Sequence, residues 1–118
     1  MIQQAYSIIK IKDFEDSFVV TGEFESCFSQ TELDLYLRKD AMQGLAARWA
    51  AKDCLINKLH FPIEFDRIEI LNDEKGKPYL QSASKDDPID FSNYSISLSH
   101  TSRFAAAFVI EGVKALPI

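Results

Sequence analysis

At 118 residues the chain is sized for one hydrophobic core, and 47% hydrophobic with 26% charged residues is ordinary globular composition. Net charge is −5 and sits at one end: residues 1–34 hold seven acids against Lys10 and Lys12, while eleven acids and eleven bases balance in the remainder. Nucleic-acid binding needs a basic footprint that is absent here, and no apolar run approaches the roughly 18 residues of a membrane span.

The first residues lack the basic-then-apolar layout of a signal peptide, so a cytoplasmic address is expected. Cys27 and Cys54 are too few for a disulfide framework or a zinc site and read as reduced thiols. With His60 and His100 as the two histidines, a histidine-rich metal site is excluded.

In chain order, Ser7 to Lys12 mixes β-branched residues with partial alternation and predicts a strand. Asp13 to Phe28 is ambiguous, with Gly22 marking a break. Ser29-Gln30-Thr31-Glu32 is a capping box that opens a helix carrying Leu33 and Leu37 on one face. A longer helix follows from about Ala41 to Leu59, with Leu45, Trp49 and Ile56 near one face and an alanine-rich stretch suited to close packing. Pro62 comes just after it.

Beyond Pro62 the period changes. Phe65 to Leu71 alternates with one slip at Arg67, and Asn72 to Gly76 is a turn before the extended Pro78-Tyr79-Leu80. Tyr94 to Ser99 alternates cleanly, and Arg103 to Ile110 is apolar enough to predict a strand buried on both faces. The expected architecture is α+β in a single domain over 1–118: a strand, two helices (one long), then a mostly antiparallel sheet.

Three segments carry candidate chemistry. Arg48 and Lys52 lie four apart on the long helix and repel unless something sits between them. A diphosphate would bridge them and the neighbouring Asp53 would hold a divalent cation, although this helix alone reads as an ordinary amphipathic surface. Gly76-Lys77-Pro78 puts a cation on a constrained loop, as a plain hairpin turn also would. His100, before Thr101 and after Ser99 at a strand end, suits a hydrogen bond to phosphate or to a reacting hydroxyl, and equally a structural role.

Order and spacing say more than any one of these. Ser29 to Tyr36, Leu45-Ala-Ala-Arg-Trp-Ala-Ala-Lys-Asp53, Ile68 to Leu80 and Ser95 to Ala107 together resemble the 4′-phosphopantetheinyl transferase superfamily, in its holo-acyl-carrier-protein synthase branch, over nearly the whole chain. The resemblance implies that fold and transfer of the 4′-phosphopantetheine arm of coenzyme A to a serine of an apo acyl carrier protein, releasing adenosine 3′,5′-bisphosphate. It implies homotrimers with shared active sites, and magnesium held by the diphosphate and two acids.

Carried over by position, Asp53 matches the acid on the long helix, where the family has glutamate. Lys52 and Arg48 match its flanking cations, the Gly76-Lys77-Pro78 loop a coenzyme A contact, and His100 and Thr101 the pair near the 3′-phosphate and diphosphate. Asp53, Lys52 and His100 are thus the candidate catalytic residues, and Asp53 the candidate metal ligand. Ser7 falls where the first strand's magnesium-binding aspartate belongs, with Asp13 as the alternative acid, and Ile56-Asn57 replaces a Ser-Lys pair. The acidic N-terminal third faces the acidic helix of a carrier protein with like charge, which implies an atypical carrier. A catalytically weak or inactive homologue serving as a binding or assembly module is the alternative reading.

Overall fold

The structure, a computed structural model, describes residues 3–22, 24–36 and 42–112. Strand β1 (Gln3–Lys10) alternates, turning Ala5 and Ser7 inward and Tyr6 and Ile8 outward. Helix α1 (Ile11–Thr21) follows directly, its first amide donating to the Arg103 carbonyl at 2.8 Å. This helix occupies much of the stretch the sequence left ambiguous. Among its described side chains Ile11, Phe14 and Phe18 are buried, a 3.6-residue period that was present in the sequence, and Gly22 caps it in the left-handed conformation (φ 64°). Among the described residues, three α-helices therefore stand where two were expected.

After a 3-10 turn at Glu25–Cys27 comes α2 (Gln30–Tyr36), opened by a reciprocal capping box. The Glu32 amide donates to Ser29 Oγ at 3.2 Å, and the Ser29 amide donates to Glu32 Oε1 at 3.1 Å. Leu37, expected on its apolar face, and Ala41, expected to open the next helix, lie outside the described residues.

Helix α3 (Met42–Asp53) runs on into a π turn at Cys54–Lys58. The Leu59 amide donates to the Cys54 carbonyl and the Phe61 amide to the Leu55 carbonyl, both at 2.9 Å. Between them His60 adopts φ 62°, where helices usually place glycine.

Strands β2 (Ile68–Asn72) and β3 (Pro78–Ser82) form a hairpin with Asn72 opposite Pro78. Strands β4 (Tyr94–His100) and β5 (Phe104–Glu111) complete an antiparallel sheet with β1, in the order β1-β5-β4. Ala46, Ala47, Ala50 and Ala51 of α3 are buried, as are Ala105, Ala107 and Val109 of β5, and small residues on both sides let helix and sheet approach closely. A phenylalanine cluster fills the other end, with Phe14 stacked on Phe24 at 4.8 Å between ring centres.

β5 departs from expectation. Its inward face is covered, but Phe104, Phe108 and Ile110 remain exposed on the other, continuous with Tyr6 and Ile8 of β1. The apolar run thus marks two apolar faces, of which one is buried within the chain.

Candidate active site

A cleft of about 230 Å³ opens where α3, the β2–β3 hairpin and the end of β4 meet. Gly44 and Arg48 form one wall, Asn72, Gly76 and Pro78 another, and His100 closes the end. Arg48 is held rigidly: Nε donates to the Ile70 carbonyl at 2.9 Å, Nη1 to the Gly44 carbonyl at 3.1 Å, and Nη2 to Asn72 Oδ1 at 3.2 Å. Its guanidinium carbon lies 3.6 Å from the ring centre of Tyr36. Guanidinium has five N–H donors, and bonds to described residues use three of them. A Cβ at Gly44 would sit 3.4 Å from Arg48 Nη1, an ordinary contact, so the role of Gly44 lies in the carbonyl that accepts from Arg48.

The hairpin loop is organised by Asp73. Its Oδ1 accepts from the amides of Lys75 and Lys77, each at 2.9 Å, and its carbonyl accepts from Gly76, whose φ of 82° only glycine adopts freely. Lys77 is left exposed beside the cleft. Thr101 likewise has a local structural task, with Oγ1 accepting from the amides of Arg103 (3.2 Å) and Phe104 (3.1 Å) in the β4–β5 turn. Its hydroxyl proton stays free to donate.

Lys52 does not join this cleft, and the expectation of an Arg48–Lys52 pair bridged by a ligand is corrected. Lys52 and Glu32 are both 0% exposed and their charged atoms lie 2.6 Å apart. The ammonium also donates to the carbonyls of Cys27 (2.8 Å) and Phe65 (2.9 Å), which uses all three of its protons. Burial pushes the Lys52 pKa down, and the facing Glu32 carboxylate pushes it partly back up. The repulsion from Arg48 is answered from inside the protein.

Asp53 sits about 7.5 Å further along α3 than Arg48, at 1.5 Å per residue. Its Oδ2 accepts from the Ser7 hydroxyl at 2.9 Å and its Oδ1 from the Asn57 amide at 2.8 Å. Ser7, 5% exposed on the inward face of β1, is therefore the residue brought against Asp53, whereas Asp13 is exposed in the first turn of α1. Ile56, partly buried, packs against the core, and Lys58 donates to the Tyr6 carbonyl.

The 4′-phosphopantetheinyl transferase superfamily model matches residues 8–109. The chain belongs to that superfamily. A holo-[acyl-carrier-protein] synthase of Dehalococcoides mccartyi (strain CBDB1) is 34% identical over 116 residues, which cover 93% of this chain and 98% of that one. The ACPS–CoA complex of Chronobacterium ammoniagenes superposes with a TM-score of 0.78 at 22% identity, over 98% of this chain and 99% of that chain. The holo-(acyl-carrier-protein) synthase of Bacillus anthracis str. Ames, in complex with CoA (3′,5′-ADP), gives 0.72 at 24% identity, over 93% and 96%. At those identities the two structures speak for the shared fold.

The superfamily resemblance implies magnesium, and the donor set around Asp53 can be tested for it. Magnesium wants six oxygens near 2.0–2.1 Å and is typically held by one or two carboxylates plus substrate phosphates. Here one carboxylate is available, with a neutral hydroxyl beside it, and no group of three or more His, Cys, Asp or Glu gathers among the described residues. Each carboxylate oxygen retains a lone pair after its hydrogen bond. The residues fit a cation that brings phosphate ligands with it.

Sequence reasoning missed Glu32, Tyr36, Gly44 and Asn72. Glu32 was absorbed by its capping role, which hid its second partner.

Proposed function

We propose that this chain, acting as one domain, transfers the 4′-phosphopantetheine arm of coenzyme A to a serine of an apo acyl carrier protein and releases adenosine 3′,5′-bisphosphate. The observation that carries the reading is the convergence of Arg48, the Gly76–Pro78 loop and His100 on one cleft. Arg48, His100, Lys77 and Thr101 bind the phosphates of coenzyme A, and Gly76 and Pro78 shape the wall against which the nucleotide lies. The reaction forms a bond between the serine oxygen and the β-phosphorus and breaks that phosphorus's bond to the oxygen shared with the α-phosphorus. The serine proton passes to water or to a carboxylate, and Asp53 is the carboxylate at that end of α3. A magnesium ion held by Asp53 and the diphosphate would supply charge stabilisation on the phosphate oxygens.

Three copies complete the site in this reading. What supports self-association is the apolar outer sheet face, where Tyr6 is 65% and Ile8 62% exposed beside Phe104, Phe108 and Ile110. Ile8→Lys then gives monomers in light scattering; an unchanged mass would remove the sheet face as the interface. The reaction is set in the cytoplasm, in keeping with Cys27 and Cys54, neither of which is in a disulfide. Exposed Asp13, Glu15 and Asp16 on α1 disfavour a carrier with an acidic docking helix.

Ser7 in place of an acid favours a second reading, a homologue that binds coenzyme A without transfer. Intact-mass measurement of apo carrier proteins incubated with the protein, coenzyme A and magnesium separates the two. A gain of one phosphopantetheine on serine supports the transferase; folded protein with coenzyme A bound and no gain on any carrier supports the second reading.

A further inference from the structure

We infer that Asp53 forms no stand-alone divalent-cation site: among the described residues, Ser7 and Asn57 hold it by hydrogen bonds where a second carboxylate would be needed, so the cation is captured together with a diphosphate. The inference rests on the coenzyme A site proposed above and concerns the order and coupling of binding.

The geometry is specific. Asp53 Oδ2 accepts from the Ser7 hydroxyl at 2.9 Å and Oδ1 accepts from the Asn57 side-chain amide at 2.8 Å. Both partners approach as donors, with positive hydrogen facing the carboxylate. They fix its orientation and neutralise part of its field, which is what a cation would otherwise do. Ser7 itself is 5% exposed, so its hydroxyl cannot swing far. A lone, partly screened carboxylate is a poor match for magnesium's hydration shell, because the ion must give up water for a single charged oxygen. A diphosphate changes the balance by adding two or more anionic oxygens and the charge they carry. Ser7 and Asn57 thus act as positioning residues: they hold Asp53 ready without a metal and leave its remaining lone pairs for one that arrives with the nucleotide. Linkage makes the coupling mutual, so the cation tightens coenzyme A binding by the factor that coenzyme A tightens the cation's.

The test uses Mn²⁺, followed by loss of its free-ion electron paramagnetic resonance signal, and thermal melts in Mg²⁺. Wild-type protein without coenzyme A should leave Mn²⁺ free at concentrations up to about 1 mM and melt at one temperature with or without Mg²⁺. Adding coenzyme A should remove Mn²⁺ signal beyond a protein-free coenzyme A control. Ser7→Asp puts a second carboxylate against Asp53 and should bind Mn²⁺ without coenzyme A at least about tenfold more tightly than wild type, with a melt that rises in Mg²⁺. Asn57 is exposed, so Asn57→Asp makes the same addition at a position that does not endanger folding and should respond in the same direction. Saturable Mn²⁺ uptake by the wild type alone, matching the variants, would overturn the inference, as would Asn57→Asp and a folded Ser7→Asp that both ignore the metal. If coenzyme A itself fails to bind, the proposed function falls, while the metal-only comparison of wild type with the two variants still decides the inference.

Discussion

Replacing Glu32 by glutamine is the sharpest test of what Lys52 does. The change is nearly isosteric, yet it leaves a fully buried ammonium facing a neutral amide. Glu32 Oε1 accepts from Lys52 at 2.6 Å and Ser29 at 3.1 Å, and Oε2 accepts from the Ile70 amide at 3.0 Å. Glutamine has one accepting oxygen, so it must turn its NH₂ toward either the ammonium or the Ile70 amide. Breaking a buried pair from one side costs about 3–5 kcal/mol. Against a total stability of about 5–15 kcal/mol that is a large fraction, and at roughly 4 °C per kcal/mol the melting temperature should fall by about 12–20 °C.

The pH dependence gives a second readout. Burial holds the Lys52 pKa below 10.5 while Glu32 pushes it up, so Glu32→Gln lowers it further. Between that folded value and 10.5 the unfolded chain binds the proton that the folded chain has lost, and stability therefore rises with pH. The deficit of Glu32→Gln relative to wild type, read from urea midpoints, should shrink as pH is raised from 7 to 10. The double variant Glu32→Leu with Lys52→Met should recover most of the loss, because it removes both charges together. A deficit below about 1 kcal/mol with no pH trend would refute the buried-pair account. A stable double variant that binds coenzyme A as wild type does but no longer transfers would return Lys52 to the catalytic set.

Three further outcomes follow from single positions. His60→Gly relieves a left-handed backbone and should raise stability by about 0.5–1 kcal/mol in chemical denaturation, a gain that a changed helix end would abolish. Burial pushes the Cys54 thiol from 9.0 up to about 11; between those values the folded chain keeps a proton the unfolded chain loses, so stability should fall with rising pH, by up to about 3 kcal/mol. Cys54→Ala should flatten that fall in urea midpoints measured from pH 9 to 11, with Tyr94→Phe as a control, since Tyr94 is raised to about 12 by burial and by its bond to Glu111. Arg48→Lys keeps the charge but loses the Ile70 bond and the stacking on Tyr36, and should weaken coenzyme A binding about tenfold by calorimetry.

Patterns that depend on neighbours in the chain were readable before any coordinates. The Ser29–Glu32 capping box, the Asn72–Gly76 turn and the alternating strand at Tyr94–Ser99 each fold as their local chemistry dictates. The stretch that forms helix α1 reads as ambiguous because β-branched Val19 and Val20 blur the 3.6-residue period set by Ile11, Phe14 and Phe18. What the sequence concealed was pairing at a distance. Nothing near Lys52 announces a partner twenty residues away on α2, and a helical cation reads as exposed until a carboxylate is found to meet it. The outward apolar face of β5 is invisible for a similar reason, since an apolar strand looks the same whether its second cover comes from its own chain or another.

Helix α3 divides the site's tasks along its length. Its part up to Asp53 carries Arg48, whose bonds to Gly44, Ile70 and Asn72 hold the hairpin wall in place. From Cys54 the backbone changes to a π turn, a feature that often marks functional sites, and ends at a non-glycine left-handed residue. Ile56 and Asn57, where the sequence departs from what the resemblance implies, lie in this second part, while Asp53 stands at the junction and Ser7 meets it from β1. Changes there alter how Asp53 is held without touching a single bond of Arg48. The bonds that hold Arg48 and those that hold Asp53 are therefore separate, so the proposed nucleotide cleft can persist while a cation at Asp53 comes to depend on the nucleotide.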